Sequence, residues 1–197
     1  MKTKIALLAF LAISGSSLMA ASISVDMFAD TAGTTSGGVL LGNGFTAYIG
    51  TYTGPSNPAT TFEAIQAGFN SIGSIAFATG AAAGYDGYFN TGAIAFTDAA
   101  GVGGQAVYVH LTDGGVQNAL FTGAALGTFK FDADIPNSGT ASIQASNAGE
   151  LTYLVGSYNP TGTSPFGGGT IELTPIPEPS MVFLSALGVF GLLRRKR

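Results

Sequence analysis

The apolar positions fall into one unbroken run near the start, a second run near the end interrupted by Ser185, and many short runs between them. Across the middle, short stretches rich in β-branched and aromatic residues alternate with Gly, Asn, Asp, Ser and Pro, which is the pattern of an all-β sandwich or barrel. The pattern predicts strands over residues 22–28, 45–52, 74–79, 93–97, 106–112, 119–121, 128–131, 140–145, 151–157 and 170–174. Asp113-Gly114 is the clearest hairpin signal. It follows Val107-Tyr108-Val109-His110-Leu111, and Asp and Gly tolerate the positive φ of a tight turn. One helix interrupts the strands. Thr60-Thr61-Phe62-Glu63 fits a capping box, and Phe62, Ile65 and Phe69 recur at helical spacing, so a short amphipathic helix is predicted over 61–68 to cover a sheet face. Gly33–Gly38 and Asn159–Gly169 read as loops.

The expected fold is therefore mainly β. A single β-sandwich-like passenger domain with one short helix is flanked by an N-terminal signal helix and a C-terminal membrane helix. Three segments follow: a signal peptide at 1–22, the passenger at 23–174 and a C-terminal signal at 175–197. The first reads as secretory because Lys2 and Lys4 precede an apolar run from Ile5 to Ile13, and small residues follow it up to a cleavage point near Ala20, Ala21 or Ser22. At the other end, Pro175-Ile176-Pro177-Glu178-Pro179 forms a stiff strut before Ser180–Leu193, an uncharged stretch of fourteen residues closed by Arg194, Arg195, Lys196 and Arg197. At 1.5 Å per residue that stretch spans about 21 Å as a helix, against about 30 Å of hydrocarbon. The four cations hold its end on the cytoplasmic side, and long side chains shorten the distance by snorkelling.

Pro177-Glu178-Pro179-Ser180, the apolar stretch with Gly188 and Gly191, and the basic cluster together resemble the PEP-CTERM sorting signal of exosortase substrates. The resemblance covers about 23 residues. It implies a Gram-negative source and export through a Sec-type translocon with signal peptidase. It further implies temporary retention in the inner membrane and cutting near Pro177-Glu178-Pro179 by a membrane-embedded exosortase. The released product is then expected at the cell surface or in an extracellular polysaccharide matrix, often glycosylated. The middle of the chain loosely resembles other PEP-CTERM passengers at 107–114, Leu120-Phe121 and Thr128-Phe129, and that likeness carries no activity with it.

Charge sharpens this picture. Of the seven basic residues only Lys130 lies between the two ends, where all eleven acids lie, so the intervening segment has a formal charge of −10. Such a field repels polyanions, and nucleic acid is excluded as a partner. The absence of cysteine excludes disulfides, thiolate metal sites and cysteine nucleophiles. Candidate chemistry is sparse. His110, the sole histidine, is read as a surface or rim residue, and no Gly-x-Ser-x-Gly elbow accompanies it. Asp132-Ala133-Asp134 with Asn137 offers the oxygen ligands calcium takes, but Pro136 stands where an EF-hand has its third ligand, so the stretch is read as a solvated turn. Gly101–Ala106 matches Gly-x-Gly-x-x-Ala only formally, because strands flank it, and it is read as a loop. Tyr48, Tyr52, Tyr85, Tyr88, Tyr153 and Tyr158 could stack on sugars or simply pack. No metal or cofactor is expected. The leading expectation is a noncatalytic surface or matrix protein with a structural or adhesive role. The alternative is a carbohydrate-binding module on extracellular polysaccharide.

Overall fold

The computed structural model describes residues 20–27, 30–77, 86–97, 100–131, 139–165 and 167–176. Residues 1–19 of the expected signal segment and the expected membrane helix at 180–193 lie outside them. No helix among the described residues is long and apolar enough to cross a membrane.

The largest sheet has six strands. β3 (Thr46–Tyr52), β4 (Phe69–Ala76), β6 (Tyr108–Thr112), β7 (Gln117–Thr122) and β12 (Thr174–Pro175) run in the order β12-β7-β6-β3-β4, and β9 (Thr152–Val155) also pairs with β7. A second sheet places β1 (Ala20–Met27) between β5 (Ile94–Thr97) and β8 (Gly139–Ile143). A third sets β11 (Thr170–Glu172) between β10 (Ser157–Asn159) and β2 (Ala32–Thr34). Strand alternation decides what each face buries. Ala47 and Ile49 of β3, Val109 and Leu111 of β6, and Ala119 and Phe121 of β7 share one core with Ile23 and Val25 of β1, Ile143 of β8 and Ile171 of β11. The sheets thus close around a common interior in a sandwich-like arrangement. Edge-to-face rings fill it in the absence of tryptophan: Phe96 meets Phe129 and Phe131, each with centroids 5.1 Å apart.

The opposite face of the six-stranded sheet is also covered. Tyr52, Ile65, Phe69, Leu120 and Val155 form a smaller apolar cluster there, with α1 (Phe62–Gln66) supplying the buried Ile65. The helix does the covering expected of it but is shorter than 61–68, and its cap is shifted. Thr61, not Thr60, is the N-cap, its hydroxyl accepting from Ala64 N at 3.2 Å. Glu63 therefore stands one residue too early for a capping box. Phe69, which the helical spacing grouped with Phe62 and Ile65, instead opens β4, because the helix ends at Gln66 and Thr53 N bonds Gly68 O at 2.9 Å.

Other boundaries also differ. Residues 128–131 form no strand beyond a single bridge between Ala106 and Thr128. The predicted strand at 140–145 ends at Ile143, and α2 (Ala145–Ala148) follows, started by Gln144 N donating to Asn147 Oδ1 at 2.7 Å. The run at 151–157 breaks at Gly156 into β9 and β10. The loop read at Gly33–Gly38 begins inside a strand, β2, which pairs in parallel with β11. The 22/23 boundary falls within β1, since Ala20, Ala21 and Ser22 pair with Thr97, Phe96 and Ala95 of β5.

Candidate functional site

The C-terminal signal leaves the fold at a defined point. Leu173 N donates to Thr34 O at 3.0 Å, Thr174 pairs with Asn118 and Pro175 with Gln117, and Ile176 N donates to Val116 O at 2.7 Å. The Thr174 hydroxyl adds a bond from Gly156 N at 3.1 Å. Pro175 has no N–H to offer, and β12 is an edge strand, where a missing donor is tolerated. Backbone pairing therefore continues up to the residue before Pro177.

The exit is framed by two loops. The β6–β7 hairpin turns through Asp113–Val116, as Asp113-Gly114 predicts: Gly114 has φ +84°, and Asp113 Oδ1 accepts from the backbone N–H of Gly115, Val116 and Gln117 at 3.1, 2.7 and 2.9 Å. Beside it the loop after β2 is closed by Thr35 N donating to Val39 O at 2.8 Å, and Ser36 N donates to Gln117 Oε1 at 3.0 Å. Pro177, Glu178, Pro179, Arg194, Arg195, Lys196 and Arg197 lie outside the described residues, as do Asp132, Asp134, Asn137 and Tyr85.

His110 corrects the sequence reading of it. It is fully buried rather than on a rim, because the face of β6 opposite the main core is roofed by α1. Its Nε2 lies 2.9 Å from Asn118 Oδ1 and its Nδ1 3.1 Å from Gln66 Nε2. Asn118 Nδ2 donates to Thr60 O at 2.8 Å, which makes Oδ1 the acceptor and places the ring proton on Nε2. Nδ1 then accepts from the Gln66 amide. Burial lowers the imidazole pKa to about 4 against the smaller opposing effect of the Asn118 bond. Tyr48, Phe62 and Phe69 pack around the ring with centroids 5.8 to 5.9 Å away. The group is thus a neutral pin joining α1 and the preceding loop to the sheet.

The candidate tyrosines divide. Tyr88 is buried and bonds Ser164 Oγ at 2.8 Å, Tyr153 OH donates to Ala148 O at 2.9 Å, and Tyr158 OH donates to Ala145 O at 3.1 Å. Burial first, and then the neighbouring Tyr158, raise the Tyr153 phenol. Burial, followed by Tyr108 nearby, also raises Tyr52, whose buried hydroxyl has no hydrogen-bond partner among the described residues. Tyr48 and Tyr108 remain half-buried on the α1 face of the sheet. Gly101–Ala106 is a loop, with Gln105 Nε2 donating to Gly101 O.

Sequence reasoning missed the pairing of Ile176 and the meeting of the two loops. Neither leaves a local signal, since the partners are more than 50 residues apart in sequence.

Comparison with known protein families finds the PEP-CTERM protein-sorting motif at residues 175–197. No curated protein and no solved structure matches the chain.

Proposed function

Starting from the PEP-CTERM protein-sorting motif at residues 175–197, which indicates an exported chain sorted by exosortase after transient membrane anchoring, we propose that the β domain is a noncatalytic cargo with a structural or adhesive role at the cell surface or in the extracellular matrix. The observation that carries this reading is the direct join between motif and fold. The match begins at Pro175, inside β12, so domain and signal meet without an intervening linker. The groups that most often carry chemistry also support it. The sole histidine is buried and neutral, and Tyr88, Tyr153 and Tyr158 are spent on internal hydrogen bonds.

In this reading the apolar stretch 180–193 holds the precursor in the inner membrane and Arg194–Arg197 fix its orientation. Exosortase cuts near Pro177-Glu178-Pro179, where each proline lacks a backbone N–H donor and biases the residue before it toward extended geometry. Terminal-peptide mass spectrometry on the released protein, from cells with and without exosortase, tests it. A C-terminus near residue 178 in the first and membrane retention in the second are expected. A released form still carrying Arg194–Arg197 overturns it.

One observation favours carbohydrate binding as a second reading: Tyr48 and Tyr108 are half-buried on the same sheet face, where aromatic rings can stack on sugars. Glycan-array binding that Tyr48→Ala and Tyr108→Ala abolish would support it. The absence of binding would remove it.

A further inference from the structure

The large hydrophobic side chains that stand exposed among the described residues are Val39, 66% exposed, and Val116, 52% exposed. They lie on different loops, and the fold brings those loops together at one place. Ser36 N bonds Gln117 Oε1, joining the loop of Val39 to the hairpin of Val116, and Ile176 N bonds the Val116 carbonyl itself. The two exposed valines therefore flank the point where the chain leaves for its C-terminal signal. The other residues of the two loops are Thr35, Ser36, Gly37, Gly38 and Leu40 on one side and Asp113, Gly114 and Gly115 on the other. The only ionisable side chain among them, Asp113, has one carboxylate oxygen occupied by three backbone N–H groups.

The length of chain beyond the exit decides what this tip faces. Three residues, Pro177 to Pro179, separate Ile176 from the stretch 180–193, and the four extended steps from Ile176 to Ser180 reach about 14 Å. While that stretch is in the membrane, the exit cannot stand further than this from its entry point. We propose that the loops 35–40 and 113–116 form a lipid-facing tip that docks on the membrane surface in the anchored precursor, with Val39 and Val116 entering the headgroup boundary. This rests on the anchoring read from the sorting motif. Two valines are too few to bind a membrane from solution, but the tether makes the contact intramolecular at high effective concentration. Cutting near Pro177-Glu178-Pro179 removes the tether, so the tip releases with the product. The device holds the domain in one orientation before cleavage and leaves no lasting membrane affinity after it.

The chain has no cysteine, so single-cysteine labelling reads this directly. The precursor with its C-terminal signal intact would be reconstituted into phosphatidylethanolamine/phosphatidylglycerol vesicles containing shallow nitroxide lipids. It would carry a polarity-sensitive fluorophore at V39C, V116C, A124C or S185C. Ala124 is exposed in the turn at the other end of β7, and Ser185 reports the anchor itself. Quenching and a blue shift at 39, 116 and 185, with none at 124, are expected, as is loss of the signal at 39 and 116 after proteolytic cutting in the Pro-Glu-Pro stretch. Quenching at 185 with 39 and 116 silent, or equal quenching at 39, 116 and 124, overturns the tip while leaving the anchor intact. Silence at 185 overturns the anchoring reading and the tip with it. Protection of 39 and 116 that appears only with co-reconstituted exosortase assigns the surface to the enzyme and overturns lipid docking.

Discussion

His110 is neutral in the folded chain at every pH above about 4, whereas in the unfolded chain it titrates near about 6.5. Between these values the unfolded state binds the extra proton, so stability is fully present above pH 6.5 and falls as the pH drops toward 4. The whole displacement corresponds to an order of 3 kcal/mol. Urea unfolding at pH 7.5, 6 and 5 should show the midpoint falling, and His110→Gln should flatten that slope. The variant should also lose about 1 to 3 kcal/mol at pH 7.5, because Asn118 and Gln66 are left with imperfect buried partners. An unchanged slope in His110→Gln would show that another group dominates the acid limb. Gly50 makes a separate demand. It sits where β3 and β4 shift register, and a Cβ there would lie 2.1 Å from Asn70 O, a backbone atom that cannot swing aside. Gly50→Ala is expected to cost about 1 to 3 kcal/mol in thermal or chemical unfolding. Neither residue is legible in this role from sequence. Alternation places His110 on the face away from the main core, but only the tertiary docking of α1 decides that this face is buried.

At the scale of elements, strands with large alternating side chains were legible, and those without them were not. β3, β5, β6 and β7 fall close to their predicted positions because Ile49, Phe96, Val109, Leu111 and Phe121 mark the buried face. β2 is Ala-Gly-Thr, with no bulky side chain to reveal it, and it exists because β11 supplies a parallel partner. The start of β4 was hidden by coincidence: Phe69 lies at helical spacing from Ile65 yet reaches the same apolar cluster from a strand. β1 leads to a prediction about processing. Ala20 is exposed at its end, whereas Ala21 is buried and paired with Phe96, so cutting after Ala20 costs the strand only its terminal pair with Thr97, and cutting after Ser22 would remove three of its four pairs with β5. The mature N-terminus is expected at Ala21, which N-terminal peptide mapping of the exported protein would establish. An N-terminus at Ile23 would show that the Ala21–Phe96 and Ser22–Ala95 pairs are dispensable. β12 carries a matching prediction at the other end. Ile176→Pro removes the N–H that bonds Val116 O, so unfolding should require about 1 kcal/mol less, and limited proteolysis should begin to cut within residues 173–176.

For the whole molecule the two signals and the domain divide the charge unequally. A product running from Ala21 to the Pro-Glu-Pro stretch keeps Lys130 as its one cation but retains Asp26, Asp30, Glu63, Asp86, Asp98, Asp113, Asp132, Asp134, Glu150 and Glu172. In the proposed reading the basic residues at the two ends serve passage through the membrane, while the domain between them is an anion with one basic side chain, Lys130. Self-repulsion at that charge keeps copies apart and favours solubility, and it also opposes contact with an acidic matrix. Fields of this kind are screened over about 10 Å at 0.1 M salt, so the opposition should be greatest in dilute buffer. Two outcomes separate charge from specific contact. If charge governs partitioning, the released domain should pass unretained through a column of an acidic polysaccharide at low ionic strength, and salt should reduce the exclusion without creating tight binding. Retention at low salt would mean that the domain holds a polysaccharide through contacts strong enough to overcome its charge. The half-buried Tyr48 and Tyr108 would then be the first residues to exchange for alanine.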